Sequence, residues 1–217
     1  MIQCLFSFGS KMTSFEKAYM NYSQRLIVPS PLGDIVVQGT QTHIQYLKFA
    51  YSEGEKLVES IYSMDLSAEC STNCSADWSE QCRLQLQRYF LSQPSQASQA
   101  SQASKSFEFD LPIDPQGTEF QQRVWQALGD IKHGAFASYQ QLATAIGNIN
   151  SVRAVASANA RNPIWLIIPC HRVIGSDNAL RGYAGGIERK GKLLQLEHHQ
   201  LELTGDALIN KKTKIVC

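Results

Sequence analysis

Residues 92–105 run Ser-Gln-Pro-Ser-Gln-Ala-Ser-Gln-Ala-Ser-Gln-Ala-Ser-Lys. Nothing in this repeat carries apolar bulk, so burial cannot offset the conformational entropy lost on ordering it, and it reads as a flexible linker. A chain broken in this way builds one unit before the repeat and another after it. The expected divisions are a poorly ordered extension over 1–23, a sheet-and-helix domain over 24–91, the linker, a second domain over 106–204 and a tail over 205–217. A length of 217 residues suits one large or two small domains, and 43% hydrophobic composition is enough for a packed core.

Before the linker, Leu26-Ile27-Val28, Ile35-Val36-Val37 and His43 to Phe49 are short β-rich runs. Pro29 to Asp34 and Gly39-Thr40 punctuate them as turns, which predicts a small antiparallel three-stranded sheet. Ala76 to Leu91 then reads as a helix, with Trp78, Cys82, Leu86 and Tyr89 at helical spacing and Asp77 as N-cap. His43 falls in a strand without a partner motif and is expected to be structural.

After the linker, Phe107 to Leu111 alternates as a short strand that Pro112 stops. Gly117-Thr118-Glu119 opens a helix whose stripe of Phe120, Val124, Trp125 and Leu128 is core. Ser138 is the next N-cap, leading Tyr139 to Ile146. Gly147 to Asn150 is a turn, and Ser151 caps a further helix to about Ala160. Helix, glycine turn, helix is the spacing of a helix-turn-helix. The second of these helices is rich in alanine and serine, with Arg153 its one large charged side chain. Small residues of that kind serve either tight helix–helix packing or close approach to another surface. The expected class is α+β, with a small antiparallel sheet plus helix first and a mainly helical domain with a helix-turn-helix second.

Ile167-Ile168-Pro169-Cys170-His171-Arg172-Val173 is the stretch that carries chemistry. A cysteine is a strong nucleophile only as thiolate, which a neighbouring positive charge or an orienting base favours. Pro169 pushes Ile168 toward an extended conformation, so Cys170 is expected at the end of a strand-like approach. Composition alone favours a buried structural cysteine, a common state of free Cys. Adjacent Cys-His supplies none of the usual zinc spacings.

This stretch resembles the Pro-Cys-His-Arg-Val signature of the O6-alkylguanine-DNA alkyltransferases. The likeness extends through Phe109 to Pro112, Gly117 to Gln121, Val124-Trp125, Ser138 to Ala143, Arg153 to Ala156, Arg161 to Pro163, Gly182 to Gly186 and Arg189-Lys190. It implies stoichiometric, irreversible transfer of an alkyl group from O6 of guanine in double-stranded DNA, and from O4 of thymine, to Cys170.

By the same resemblance His171 is the general base, acting through a water, and Glu197 orients it. Tyr139 donates to the departing base, which must be flipped out of the duplex. Arg153 fills the vacated stack, and Ser151, Ala154, Ser157 and Tyr139 join it on the DNA face, in the minor groove. Pro169, Val173, Tyr183, Ala184 and Gly185 line the base pocket, where the carbonyls of Cys170 and Val173 accept the guanine amine. Asn162 ties the DNA-binding helix to the active-site turn. Ala184 replaces a serine of some relatives, so only its backbone N–H is available to O6.

The net charge of +1 hides a gradient, with 8 Lys+Arg against 11 Asp+Glu in residues 1–110 and 12 against 8 in the remainder. A modest basic excess beside the candidate site suits an anionic partner. The six cysteines stand at 4, 70, 74, 82, 170 and 217 without a paired zinc pattern, and neither signal peptide nor membrane span is recognisable. A reducing compartment is expected, cytoplasmic or, in a eukaryote, nuclear. A monomer without metal or cofactor is expected as well. The rival readings are a non-catalytic lesion sensor, which by family knowledge would lack the cysteine, and a regulator sensing its own alkylation, which would need an upstream zinc cluster.

Overall fold

The computed structural model describes residues 22–50, 78–91 and 107–197, together with the backbone of 201–204 and 207–210. The 1–23 extension (save 22 and 23), the whole linker, Cys70, Cys74 and Asp77 lie outside the described residues. The first three strands are β1 (Gln24–Val28), β2 (Ile35–Gly39) and β3 (Ile44–Phe49), antiparallel in the order β1-β2-β3. Ser30 Oγ donates to Gly33 O at 2.5 Å in the first turn, where Gly33 has φ 111°, a conformation other residues rarely adopt. β3 begins at Ile44 rather than His43. The exposed His43 instead closes a polar turn, its Nδ1 2.8 Å from Thr42 Oγ1.

The free edge of β3 is covered by the C-terminal half. Ile44 N–H donates to Pro112 O, Leu47 N–H to Pro163 O and Trp165 N–H to Leu47 O, at 2.7 to 2.9 Å. An unpaired edge is thereby removed. No strand forms over Phe107–Leu111, contrary to the alternation. Asp110 is held by a side chain instead: Gln85 accepts from its N–H and donates to its C=O, both at 2.8 Å. Pro112 has no donor with which to continue a ladder.

The helices are α1 (Trp78–Leu91), α2 (Glu119–Gly129), α3 (Tyr139–Ala145), α4 (Val152–Ala160) and α5 (Ile187–Glu197). One apolar cluster joins both halves, with Ile35, Leu47, Leu86, Tyr89, Val124, Leu128, Val155, Trp165, Cys170 and Leu193 all buried in it. The Trp125 indole N–H donates to Ala158 O at 2.9 Å and fixes α2 against α4. Two-residue strands β4 (Ala137–Ser138) and β5 (Val173–Ile174) pair in parallel beside the Cys170 turn. Across the 204/205 boundary, β6 (Leu201–Thr204) pairs antiparallel with β7 (Ala207–Asn210) in the segment read as tail.

Candidate active site and DNA-facing helix

Tyr139 is placed by its neighbour. Ser138 Oγ accepts from Gln141 N–H at 3.1 Å, while Gln141 Oε1 accepts from Ser138 N–H at 2.7 Å. This reciprocal cap starts α3 at Tyr139 and aims its phenol inward, donating to Arg181 O at 3.2 Å. Burial, with the Cys170 sulfur nearby, raises the phenol to about 12, so it stays a donor at neutral pH. Ser138→Ala should lower stability by about 1 kcal/mol, measured by thermal melting.

α3 turns into α4 through Gly147, φ 78°. Ser151 does not cap α4. It lies in a single 3-10 turn (Ile149–Ser151), and its Oγ donates back to Asn148 O at 2.6 Å. With that turn leading straight into the helix, the backbone already follows a helical course, and the serine satisfies the turn instead. α4 buries Val155, Ala158 and Asn159 and exposes Arg153, Ala154, Ser157 and Ala160 on one face. Packing and an open small-residue surface thus share the helix. Arg153, Ala154 and Ser157 stand on that outer face, apart from the buried group around Cys170.

Pro169 and Cys170 are not reached along a strand. Residues 162–169 form turns, Leu166 sits at φ 67°, and Cys170 begins a 3-10 turn (Cys170–Arg172) that leads into β5. A leucine in the left-handed region is strained, and such strain persists where surrounding contacts over-determine it. Asn162 supplies several of those contacts. Its Nδ2 donates to Ile168 O at 2.8 Å, and its Oδ1 accepts from Ile164 N–H at 3.0 Å. Asn162 therefore joins the end of α4 to the cysteine turn.

Cys170 is 2% exposed. Burial raises its thiol to about 11, against lowering influences from Asn162, Lys190 and Lys48, so it is protonated at neutral pH and needs a base. His171 is fully buried, and burial lowers its pKa despite the adjoining Glu197, which keeps the ring neutral at pH 7. Its Nε2 lies 3.0 Å from Glu197 Oε1. Burial raises the Glu197 carboxyl, but His171 and Arg172 outweigh it and hold the group well below the ordinary carboxylate range. An ionised carboxylate only accepts, so Nε2 carries the proton and Nδ1 the lone pair. Nδ1 is buried without a protein partner, as a waiting base requires.

The support around Glu197 is denser than the sequence suggested. Tyr89 donates to Oε1 at 2.7 Å, Arg172 Nε to Oε2 at 2.7 Å and Arg172 Nη2 to Oε1 at 2.9 Å. Arg172 Nη1 also donates to Ile131 O at 2.6 Å. Lys190 is another residue without an assigned role in the sequence. It is fully buried, and its Nζ donates to Val173 O and Arg181 O, both at 2.5 Å. Burial lowers its ammonium to about 8, with Cys170 acting in the opposite direction. Asn159 on α4 is also buried, 1% exposed, with its Nδ2 donating to Cys170 O at 3.4 Å. Arg172 could have been suspected from its place in the signature, whereas Tyr89, Lys190 and Asn159 each look like ordinary helix positions.

Tyr183, Ala184 and Gly185, the other residues expected to line the pocket, lie on the loop before α5. Tyr183 is buried against Trp165, ring centroids 5.3 Å apart. A side chain at Gly185 would collide with both rings, and one at Gly182 would fall 2.9 Å from the Tyr139 hydroxyl. Ala184 is exposed. Arg189 donates to Leu32 O at 2.8 Å and Gly185 O at 3.0 Å, securing this loop to the first sheet. Among the described residues no group of three potential metal ligands occurs, and no helix is long and apolar enough to cross a membrane.

A family model described as the DNA-binding domain of 6-O-methylguanine DNA methyltransferase matches residues 119–199. A methylated-DNA–protein-cysteine methyltransferase of Methanosarcina barkeri is 38% identical over 175 residues, covering 81% of this chain and 97% of the relative. Among solved structures, the O6-methylguanine methyltransferase of Mycobacterium tuberculosis is similar at 34% identity and TM-score 0.63, covering 81% of this chain and 93% of that one. Mycobacterium tuberculosis OGT in complex with DNA is similar at 33% identity and TM-score 0.60, covering 80% and 91%. The likeness spans both sides of the linker and nearly the whole length of the relative, so the chain belongs to the methylated-DNA–protein-cysteine methyltransferase family.

Proposed function

We propose that the protein repairs DNA by moving the alkyl group of O6-alkylguanine, and of O4-alkylthymine, onto Cys170. The reading is carried by the buried Cys170 beside a histidine whose Nδ1 is left as the lone-pair nitrogen. The thiol proton passes through a water to His171 Nδ1, and the imidazolium that results is supported by ionised Glu197. The sulfur attacks the alkyl carbon, the S–C bond forms and the O6–C bond breaks. Tyr139 meets the charge appearing on the departing guanine with its hydroxyl. A duplex base cannot offer O6 to a buried sulfur, so the nucleotide leaves the stack, with Arg153 on the exposed face of α4 taking its place.

The product thioether is not reversed by thiol exchange. With excess O6-methylguanine duplex, repaired base should therefore appear in a burst equal to active protein and then stop. Accumulation well past one equivalent would contradict a single-use acceptor. Arg153→Ala should slow reaction with duplex by about one to two orders of magnitude, since losing the stack-filling group costs a few kcal/mol. Free O6-benzylguanine should react at nearly the wild-type rate. Equal losses on both substrates would make Arg153 structural.

A further inference from the structure

Tyr89 comes from before the linker, on α1, yet its hydroxyl ends on the carboxylate of the last residue of α5. The ring is fully buried against Phe90, Phe107 and Phe109, centroids 5.0 to 5.6 Å away, with the His133 ring edge-on at 6.3 Å. Packing alone would be served by one more phenylalanine, because a buried hydroxyl costs stability unless it finds a partner. Its partner is Glu197 Oε1, at 2.7 Å. Burial, together with that carboxylate, raises the phenol well above its ordinary value, so it stays a donor.

The same Oε1 faces His171 Nε2 at 3.0 Å and receives Arg172 Nη2 at 2.9 Å. Three donors thus draw on one oxygen. Each hydrogen bond that stabilises the carboxylate disperses charge that would otherwise hold an imidazolium. Burial opposes the imidazolium of His171 most, Arg172 beside it and Lys190 on α5 add to this, and Glu197 alone among these groups favours it. Tyr183 also faces the Tyr89 hydroxyl but stays neutral, since burial raises its phenol well above the ordinary value. How strongly Glu197 accepts therefore decides how readily His171 takes a proton.

We propose that Tyr89 is a positioning residue of the transfer reaction: by sharing Glu197 Oε1 with His171 Nε2, its hydroxyl limits the carboxylate's hold on the ring and keeps His171 in the neutral form that can receive the thiol proton. This rests on the transfer reaction proposed above. The first domain thereby reaches the reacting centre, and docking of α1 becomes part of setting the base.

The test is the pH dependence of single-turnover transfer from an O6-methylguanine duplex, with protonation of the His171 ring followed by nuclear magnetic resonance in the full chain. In Tyr89→Phe both midpoints should move up by about half to one pH unit, because Glu197 is left with one donor fewer. Below the midpoint the variant should transfer about three- to tenfold more slowly, and above it the two rates should converge. A ring-fluorinated tyrosine at position 89, nearly the same size but a stronger donor, should move both midpoints down. Midpoints that stay put in both variants, with any loss of rate uniform across pH, would overturn the proposal and leave Tyr89 as a packing residue. Absence of transfer by wild type would instead remove the underlying reaction, while the ring titration, which needs no transfer, would still decide what Tyr89 does to His171.

Discussion

Cys170→Ser should abolish alkyl transfer while leaving affinity for duplex DNA within about threefold, a difference of roughly 0.6 kcal/mol. A serine hydroxyl retains the small volume of the thiol but is a far weaker nucleophile, and His171 cannot raise it to thiolate reactivity. The side chains proposed to face DNA, Arg153, Ala154 and Ser157, stand on the outer surface of α4, whereas Cys170 is buried. Binding and chemistry are therefore separable by mutation. Transfer that survives this substitution would assign the nucleophile elsewhere. Cys82 is a poor substitute, because burial within α1 raises its thiol to about 12. Gel-shift titration and a repair assay on the same preparation measure both halves of the expectation.

Glu197→Gln should damage stability and rate together. The carboxylate receives four hydrogen bonds, from Tyr89, His171 and twice from Arg172, and its side chain is 1% exposed. Removing the negative charge leaves the Arg172 guanidinium, 8% exposed, without its counter-ion. Breaking a buried pair in this manner costs about 3–5 kcal/mol, which for a chain of this size lowers the melting temperature by about 10 °C. Because the folded-state pKa of Glu197 is depressed, the stability it contributes is complete above the ordinary carboxylate pKa. It disappears only as pH falls through the lower folded value. The gap between wild type and Glu197→Gln should thus stay constant through neutral pH and close only in strong acid. The transfer rate should drop by about a hundredfold, since the imidazolium formed on His171 loses its support. Melting curves and single-turnover rates across pH check the two effects.

The sequence exposes the parts of this site that are local and conceals those that are assembled. Ser138 and Gln141 stand three apart, a spacing that announces a helix start and so fixes Tyr139 at its first position. Cys170 and His171 are adjacent, and Gly147 marks the turn between α3 and α4. The Tyr89–Glu197 bond spans 108 positions and crosses the linker, which no periodicity can show. Lys190 and Asn159 lie on helices where a lysine or asparagine is ordinarily solvated, and burial alone gives them meaning. Ser151 shows the opposite failure, since a good capping residue was claimed by a preceding 3-10 turn. Phe107 to Leu111 alternates like a strand, yet Asp110 within it is held by the Gln85 side chain, and the edge of β3 meets the chain just beyond it, at Pro112 and Asp114. Alternation reports which side chains are buried, not which backbone groups pair.

The central claim is that the alkyl group ends on one particular sulfur. Duplex carrying a trideuteromethyl group at O6 of a single guanine, incubated with the protein and followed by peptide mass mapping, tests it directly. The account predicts one trideuteromethyl group on the peptide containing Cys170, none on Cys70, Cys74 or Cys82, and an equal amount of unmodified guanine restored in the duplex. Label found on another residue, or released into solution while Cys170 stays unmodified, would contradict it.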